Sequence, residues 1–185
     1  MAKIKAWTKQ HKAVWQILKE QGRYITDPAY VALDMSSQRK TMIYTYEWLT
    51  AHSPRFSDKP ADVSFPVWLS LEKDHTMIHE EGYVILELDI EEEWLAYVNV
   101  AKWSRILNLA YIPADERDAK VHRQLLADYG TNDVKAFTTP FYPEIKRQII
   151  DSWDRLWDPC VDIGGDIVYG LIWEIRIEWV AAVTE

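Results

Sequence analysis

The residues from Leu171 to Val180 alternate with a period of two, Leu171, Trp173, Ile175, Ile177 and Trp179 on one face and Ile172, Glu174, Arg176, Glu178 and Val180 on the other. An extended run with one apolar face and opposite charges on its second face belongs in an antiparallel or mixed sheet that is open on one side. Two earlier segments carry the same period. Phe65, Val67, Leu69 and Leu71 oppose Pro66, Trp68, Ser70 and Glu72, and Val84, Leu86, Leu88 and Ile90 oppose Tyr83, Ile85, Glu87 and Asp89. A short first strand over residues 3–8 sets Ile4, Ala6 and Thr8 against Lys3, Lys5 and Trp7. Between these runs the period turns helical. Val14, Ile17, Leu18 and Gln21 form one stripe that Gly22 ends. Asp27-Pro28 starts a second helix that runs, with a break near Ser36-Ser37, through Met42, Tyr46 and Leu49 to Pro54. Val121, Leu125 and Tyr129 mark a third helix that Gly130 closes, and Ile145, Ile149, Trp153 and Leu156 mark a fourth behind Pro143. Residues 94–100 fit either a strand or a helix entry, and Gly164-Gly165, flanked by apolar residues, fits a two-residue hairpin turn. Strands scattered among helices without regular alternation predict one α+β domain over residues 1–185, with a mixed or mainly antiparallel sheet and several packed helices.

A chain of 185 residues with 48% hydrophobic side chains has enough apolar mass to close a core. No apolar run reaches the roughly 18 residues of a membrane span, and no basic segment followed by an apolar stretch opens the chain, so the expectation is a soluble, cytoplasmic protein with no membrane partner. The single cysteine, Cys160, has no internal disulfide partner and no sequence neighbour that would activate it, and is expected as a small core residue. The net charge of -8 is unevenly spread. Residues 1–23 hold six basic side chains against Glu20, whereas residues 72–93 hold nine acids against Lys73. The acidic stretch repels phosphate backbones and disfavours broad nucleic-acid binding, although the N-terminal cluster could hold one phosphate-bearing ligand. Asp89, Glu91, Glu92 and Glu93 lack the spacing of a calcium loop and are expected to face water or to pair with the basic N-terminus.

His75 and His79 stand four apart, a metal-ligand spacing on a helix, but they fall between two strands and are expected as solvent-exposed loop residues, so no metal site is expected. Strand parity yields a more specific constellation. Trp7, Trp68, Ser70, Glu174 and Arg176 all fall opposite their strands' apolar rows. If those strands are neighbours, two indoles, a hydroxyl, a carboxylate and a guanidinium converge on one floor suited to a planar ring with a polar handle.

The order Trp7-Thr8, Ile17-Leu18 through Gly22, Trp48-Leu49, Pro66-Val67-Trp68, Glu87-Leu88-Asp89, Leu107-Asn108 through Tyr111-Ile112-Pro113, and Trp173-Glu174-Ile175 before Trp179-Val180 resembles a family of bacterial and phage proteins known only as a domain of unknown function. That similarity covers nearly the whole chain and implies no activity. The order of a first strand, a helix closed by glycine, a middle strand with a serine and a late strand with a glutamate is also similar to ADP-ribosyltransferases. Those enzymes hold NAD through a histidine or arginine on the first strand, where this chain has Lys5, Trp7 and Thr8. The resemblance implies a nucleotide-handling transferase in which Glu174 orients the reacting ribose, Ser70 holds sugar or phosphate, Trp7 and Trp68 stack on the base, and Thr8 and Arg176 complete an NAD site. The alternative is a non-enzymatic binding protein that engages a basic protein surface through its acidic segment.

Overall fold

A computed structural model of the protein describes residues 2–28, 39–76 and 80–185, so the expected break at Ser36-Ser37 and the second histidine, His79, lie outside the described residues. The fold is α+β, and the chain separates into two compact units. The first comprises Met1–Tyr97 with Val168–Glu185, and the second is Val98–Ile167.

Among the described residues eight strand segments form two sheets, one of six strands and one of two. In chain order these are β1 (Lys3–His11), β2 (Arg23–Tyr24), β3 (Val67–Ser70), β4 (Tyr83–Glu91), β5 (Ala96–Asn99), β6 (Val168–Ile172), β7 (Ile175–Arg176) and β8 (Val180–Thr184). The main sheet runs β5-β6-β3-β1-β4-β8, and β2 pairs with β7 in a separate two-stranded ladder. Register fixes the faces. Ala6 opposes Leu88, Thr8 opposes Leu86 and Gln10 opposes Val84, while Val67 opposes Ile172 and Leu69 opposes Gly170. This inner face, with Ala6, Leu69, Val84, Leu86, Leu88 and Ile90 fully buried, packs on Val14 and Leu18 of helix α1 (Lys12–Gln21). His11 caps α1 by accepting the Ala13 N–H at 3.1 Å, and Gly22 ends it at φ 74°, a left-handed conformation that a side chain would strain.

The other face of the same strands carries Trp7, Trp68 and Ser70, with Trp7 opposite both Ser70 and Glu87, and Lys5 opposite Asp89. Lys5 meets Glu87 at 2.5 Å and Asp89 at 3.4 Å, and Lys9 meets Glu80 at 2.8 Å. Part of the acidic segment therefore pairs with the basic N-terminus across one ladder. Helix α2 (Arg39–Ala51) brings Tyr46 edge-on to Trp68, with ring centroids 6.4 Å apart.

The long C-terminal strand expected from period two is interrupted. Residues 170–175 are buried without a break, on both parities, and the run divides into β6, β7, a 3-10 turn over Ile177–Trp179 and β8. A one-sided sheet would leave alternate residues exposed. Here the Trp173 indole leaves the ladder to donate to the Arg55 carbonyl at 2.8 Å, and Glu174 turns toward arginines.

The second unit is helical. Residues 94–100 contain both readings open to them, since β5 ends at Asn99, whose side chain caps helix α3 (Val100–Leu107) by accepting the Lys102 N–H at 3.1 Å. Then follow α4 (Glu116–Asp128), α5 (Asp133–Thr138) and α6 (Pro143–Ser152). Trp153 is fully buried, stacks on Phe137 at 5.4 Å and donates to the Ala110 carbonyl at 3.0 Å. The hairpin expected at Gly164-Gly165 does not form, because the residues before it are not a strand and Gly165 instead accepts from the Asn99 side chain at 2.7 Å. Val121 and Tyr129, expected on the buried stripe, are 63% and 60% exposed; the polar residue His122 takes the inward position at 7%. Cys160 is exposed rather than core, its N–H bound to Asp158 in a local turn.

A layered contact holds this unit's middle. The Tyr111 ring stacks on His122 at 4.0 Å, the Arg155 guanidinium lies over the same ring at 5.2 Å, and the Tyr111 hydroxyl donates to Asp118 at 3.0 Å. His122 in turn meets Asp133 at 2.6 Å. Burial pushes the Asp118 carboxyl up, but the Ala114 N–H, the Tyr111 hydroxyl and Arg155 outweigh it and hold that carboxyl below the usual carboxylate range. A carboxyl depressed in the folded state contributes stability above its ordinary pKa and loses it as pH falls through the lowered value. Asp118→Asn should therefore lower the melting temperature at neutral pH and shrink its fall between neutral and acid pH. Parallel pH profiles for the two proteins, measured by thermal unfolding, would contradict this role.

Candidate functional site

Glu174 lies between β6 and β7 and is 7% exposed. The β2–β7 ladder places Arg23 directly opposite Arg176, an arrangement that two like charges alone would disfavour. Glu174 resolves it. Its Oε1 accepts from Arg176 Nε at 2.6 Å and its Oε2 accepts from Arg23 Nε in a short contact. The terminal nitrogens of Arg23 then fork onto Asp62 at 2.7 and 3.1 Å, and its pKa is raised by Asp62 and Glu174 against the opposing effect of burial. Asp62 is held below the usual carboxylate range, chiefly by its bond from Arg23. The Arg176 guanidinium covers two indoles at once, its Cζ 5.0 Å from the ring centres of both Trp94 and Trp179, which are themselves 6.3 Å apart.

A small cavity of about 30 Å³ opens beside this network, lined by Glu174, Arg176, Trp94, Trp173, Trp179 and Asp58, with Ile172 and Pro60 completing the wall. It has room for roughly two waters. A planar ligand must therefore rest on the indoles from the mouth or displace one of them.

The residues singled out from the sequence fall into two groups. Trp7, Trp68 and Ser70 share the sheet face opposite the core, as parity required, and the Trp7 indole donates to Glu87 at 3.2 Å. Ser70 is 6% exposed and its hydroxyl donates to the Glu72 carbonyl at 2.5 Å, closing a turn rather than facing an open site. Thr8 lies on the core face, 4% exposed, and donates to the Trp68 carbonyl at 3.0 Å. Glu174 and Arg176 are not brought to that floor. Their cavity is walled by Ile172, which shares the inner face with Val67 and Leu69, and by none of Trp7, Trp68 or Ser70. Strand parity fails where β6 ends at Ile172, because side chains beyond it no longer follow the sheet's pleat. Sequence reading missed Arg23, Asp62, Trp94, Trp173 and Trp179 at this site. The available signal was Arg23 directly after the helix-closing Gly22, where the chain must turn back toward the sheet.

His75 is described, and it contacts Glu72 at 3.4 Å. Among the described residues no group of three or more His, Cys, Asp or Glu side chains is placed to hold a metal ion, and no helix is long and apolar enough to cross a membrane.

The family model for a domain of unknown function, DUF3841, matches residues 5–181. The chain belongs to the DUF3841 family. The match takes in every residue of the Glu174 network, so the site described above lies wholly inside the family's extent. No curated protein and no solved structure matches the chain.

Proposed function

We propose that this DUF3841 protein is a nucleotide-handling protein of ADP-ribosyltransferase-like build, with its site at Glu174 and the tryptophan-walled cavity beside it. The observation that carries the reading is a nearly buried carboxylate held by two arginines at the edge of a cavity lined by three indoles. Indole faces suit a base or nicotinamide ring, and a fixed carboxylate suits a ribose hydroxyl. The order of strands, glycine-closed helix and late glutamate, similar to that of ADP-ribosyltransferases, supports transfer chemistry with NAD, in which Glu174 orients the reacting ribose. Trp94, Trp173 and Trp179 take the stacking role that the sequence suggested for Trp7 and Trp68, and Arg176 keeps its place in the site. The rival reading, capture of a basic protein surface, has less support because Lys5 and Lys9 already engage Glu87, Asp89 and Glu80 of the acidic segment.

The test is a titration of intrinsic fluorescence with NAD, joined to an assay of NAD consumption. The wild-type protein should give a saturable quench, and Glu174→Gln should reduce consumption by at least about a hundredfold with an unchanged circular dichroism spectrum. Equal consumption by both proteins refutes the assignment of Glu174.

A further inference from the structure

We infer that Arg176 is the hook for a single anionic group of the ligand, a phosphate, and that it does this with the outer edge of its guanidinium. This rests on the nucleotide reading above and adds to it which ligand group is held, and by what.

Three of the guanidinium's constraints are met from within the protein. Its Nε is bound to Glu174 at 2.6 Å, and its face lies over Trp94 and Trp179 at 5.0 Å each. Glu174 cannot swing away with it, because Arg23 holds the second carboxylate oxygen and is itself forked onto Asp62. The two terminal nitrogens of Arg176 are different. They have no protein hydrogen-bond partner among the described residues, the side chain is 36% exposed, and it lines the cavity. A planar fork held at its base with its prongs free matches two oxygens of a phosphate, and little side-chain freedom is lost on binding because the fork is already oriented.

Arg23 offers no such open fork, since its Nε already donates to Glu174 and its two terminal nitrogens to Asp62. The third arginine nearby, Arg55, donates its Nε to the Leu95 carbonyl at 3.3 Å and lies 3.9 Å from Asp58. The arginines Arg23, Arg55 and Arg176 thus face Asp58, Asp62 and Glu174, and Lys59 adds one further positive charge beside Asp62, so the net local charge is small. An anion is attracted here by one directed pair of N–H groups rather than by a broad positive field. The geometry therefore specifies one phosphate contact and a shallow dependence on salt.

The experiment uses the full chain, with adenosine and AMP as probes read by tryptophan fluorescence. AMP should bind at least about tenfold more tightly than adenosine. Arg176→Gln should bring that ratio to about one, whatever it does to the affinity for adenosine itself, and Arg176→Lys, which keeps the charge but not the fork, should fall between. Binding of adenosine and AMP with equal affinity by the wild-type protein overturns the hook and leaves the nucleotide reading standing. A tenfold preference that survives in Arg176→Gln also overturns it, by placing the phosphate elsewhere. Failure of adenosine, AMP and NAD alike to bind overturns both.

Discussion

Replacing Glu174 with alanine is expected to destabilise the protein by about 2–3 kcal/mol, somewhat below the usual cost of breaking a buried ion pair. Removing the carboxylate leaves Arg23 and Arg176 opposite each other in the β2–β7 ladder with nothing between them. The cost is discounted because the two arginine side chains are 37% and 36% exposed and regain water. Glu174→Gln should cost less, since one amide oxygen still accepts a bond while the shape is kept. Urea unfolding of both variants measures this. A loss under about 0.5 kcal/mol for the alanine variant would place the network among surface pairs of little energetic consequence.

Trp153→Ala is expected to cost more, about 4 kcal/mol, in the helical unit. The ring is fully buried, its face is matched by Phe137, and its N–H satisfies the Ala110 carbonyl. Truncation removes the contacts, opens a cavity and leaves an acceptor without its donor. Trp153→Phe restores most of the volume but not the hydrogen bond and should recover more than half of the loss. If the alanine variant unfolds within about 1 kcal/mol of the wild type, Trp153 is not the centre of that unit's core.

What could be read from the sequence divides along a physical line. Local rules held where one element settled the outcome: Gly22 ends α1 in a left-handed conformation, Pro143 opens α6, and the alternations around β3 and β4 place Leu69, Leu86 and Leu88 in the core. Parity also put Trp7, Trp68 and Ser70 on one face, because β1 and β3 are neighbours with Trp7 opposite Ser70. It could not follow the chain past Ile172. There the alternation persists in the sequence, but β6 ends, the Trp173 side chain bonds to Arg55 and the Glu174 side chain accepts from Arg23. Those partners lie 118 and 151 residues away, beyond the reach of any periodic pattern. Val121 shows the same limit on a helix: the stripe fitted through it is displaced by one residue, because His122 is drawn inward by Tyr111 and Asp133.

The most direct test follows the indole N–H resonances of the protein's ten tryptophans during addition of NAD. Shifts should concentrate at Trp94, Trp173 and Trp179, with Trp7 and Trp68 unmoved. Shifts at Trp7 and Trp68 with the other three silent would move the site to the opposite face of the sheet, and a spectrum unchanged at saturating NAD would contradict the proposed function itself.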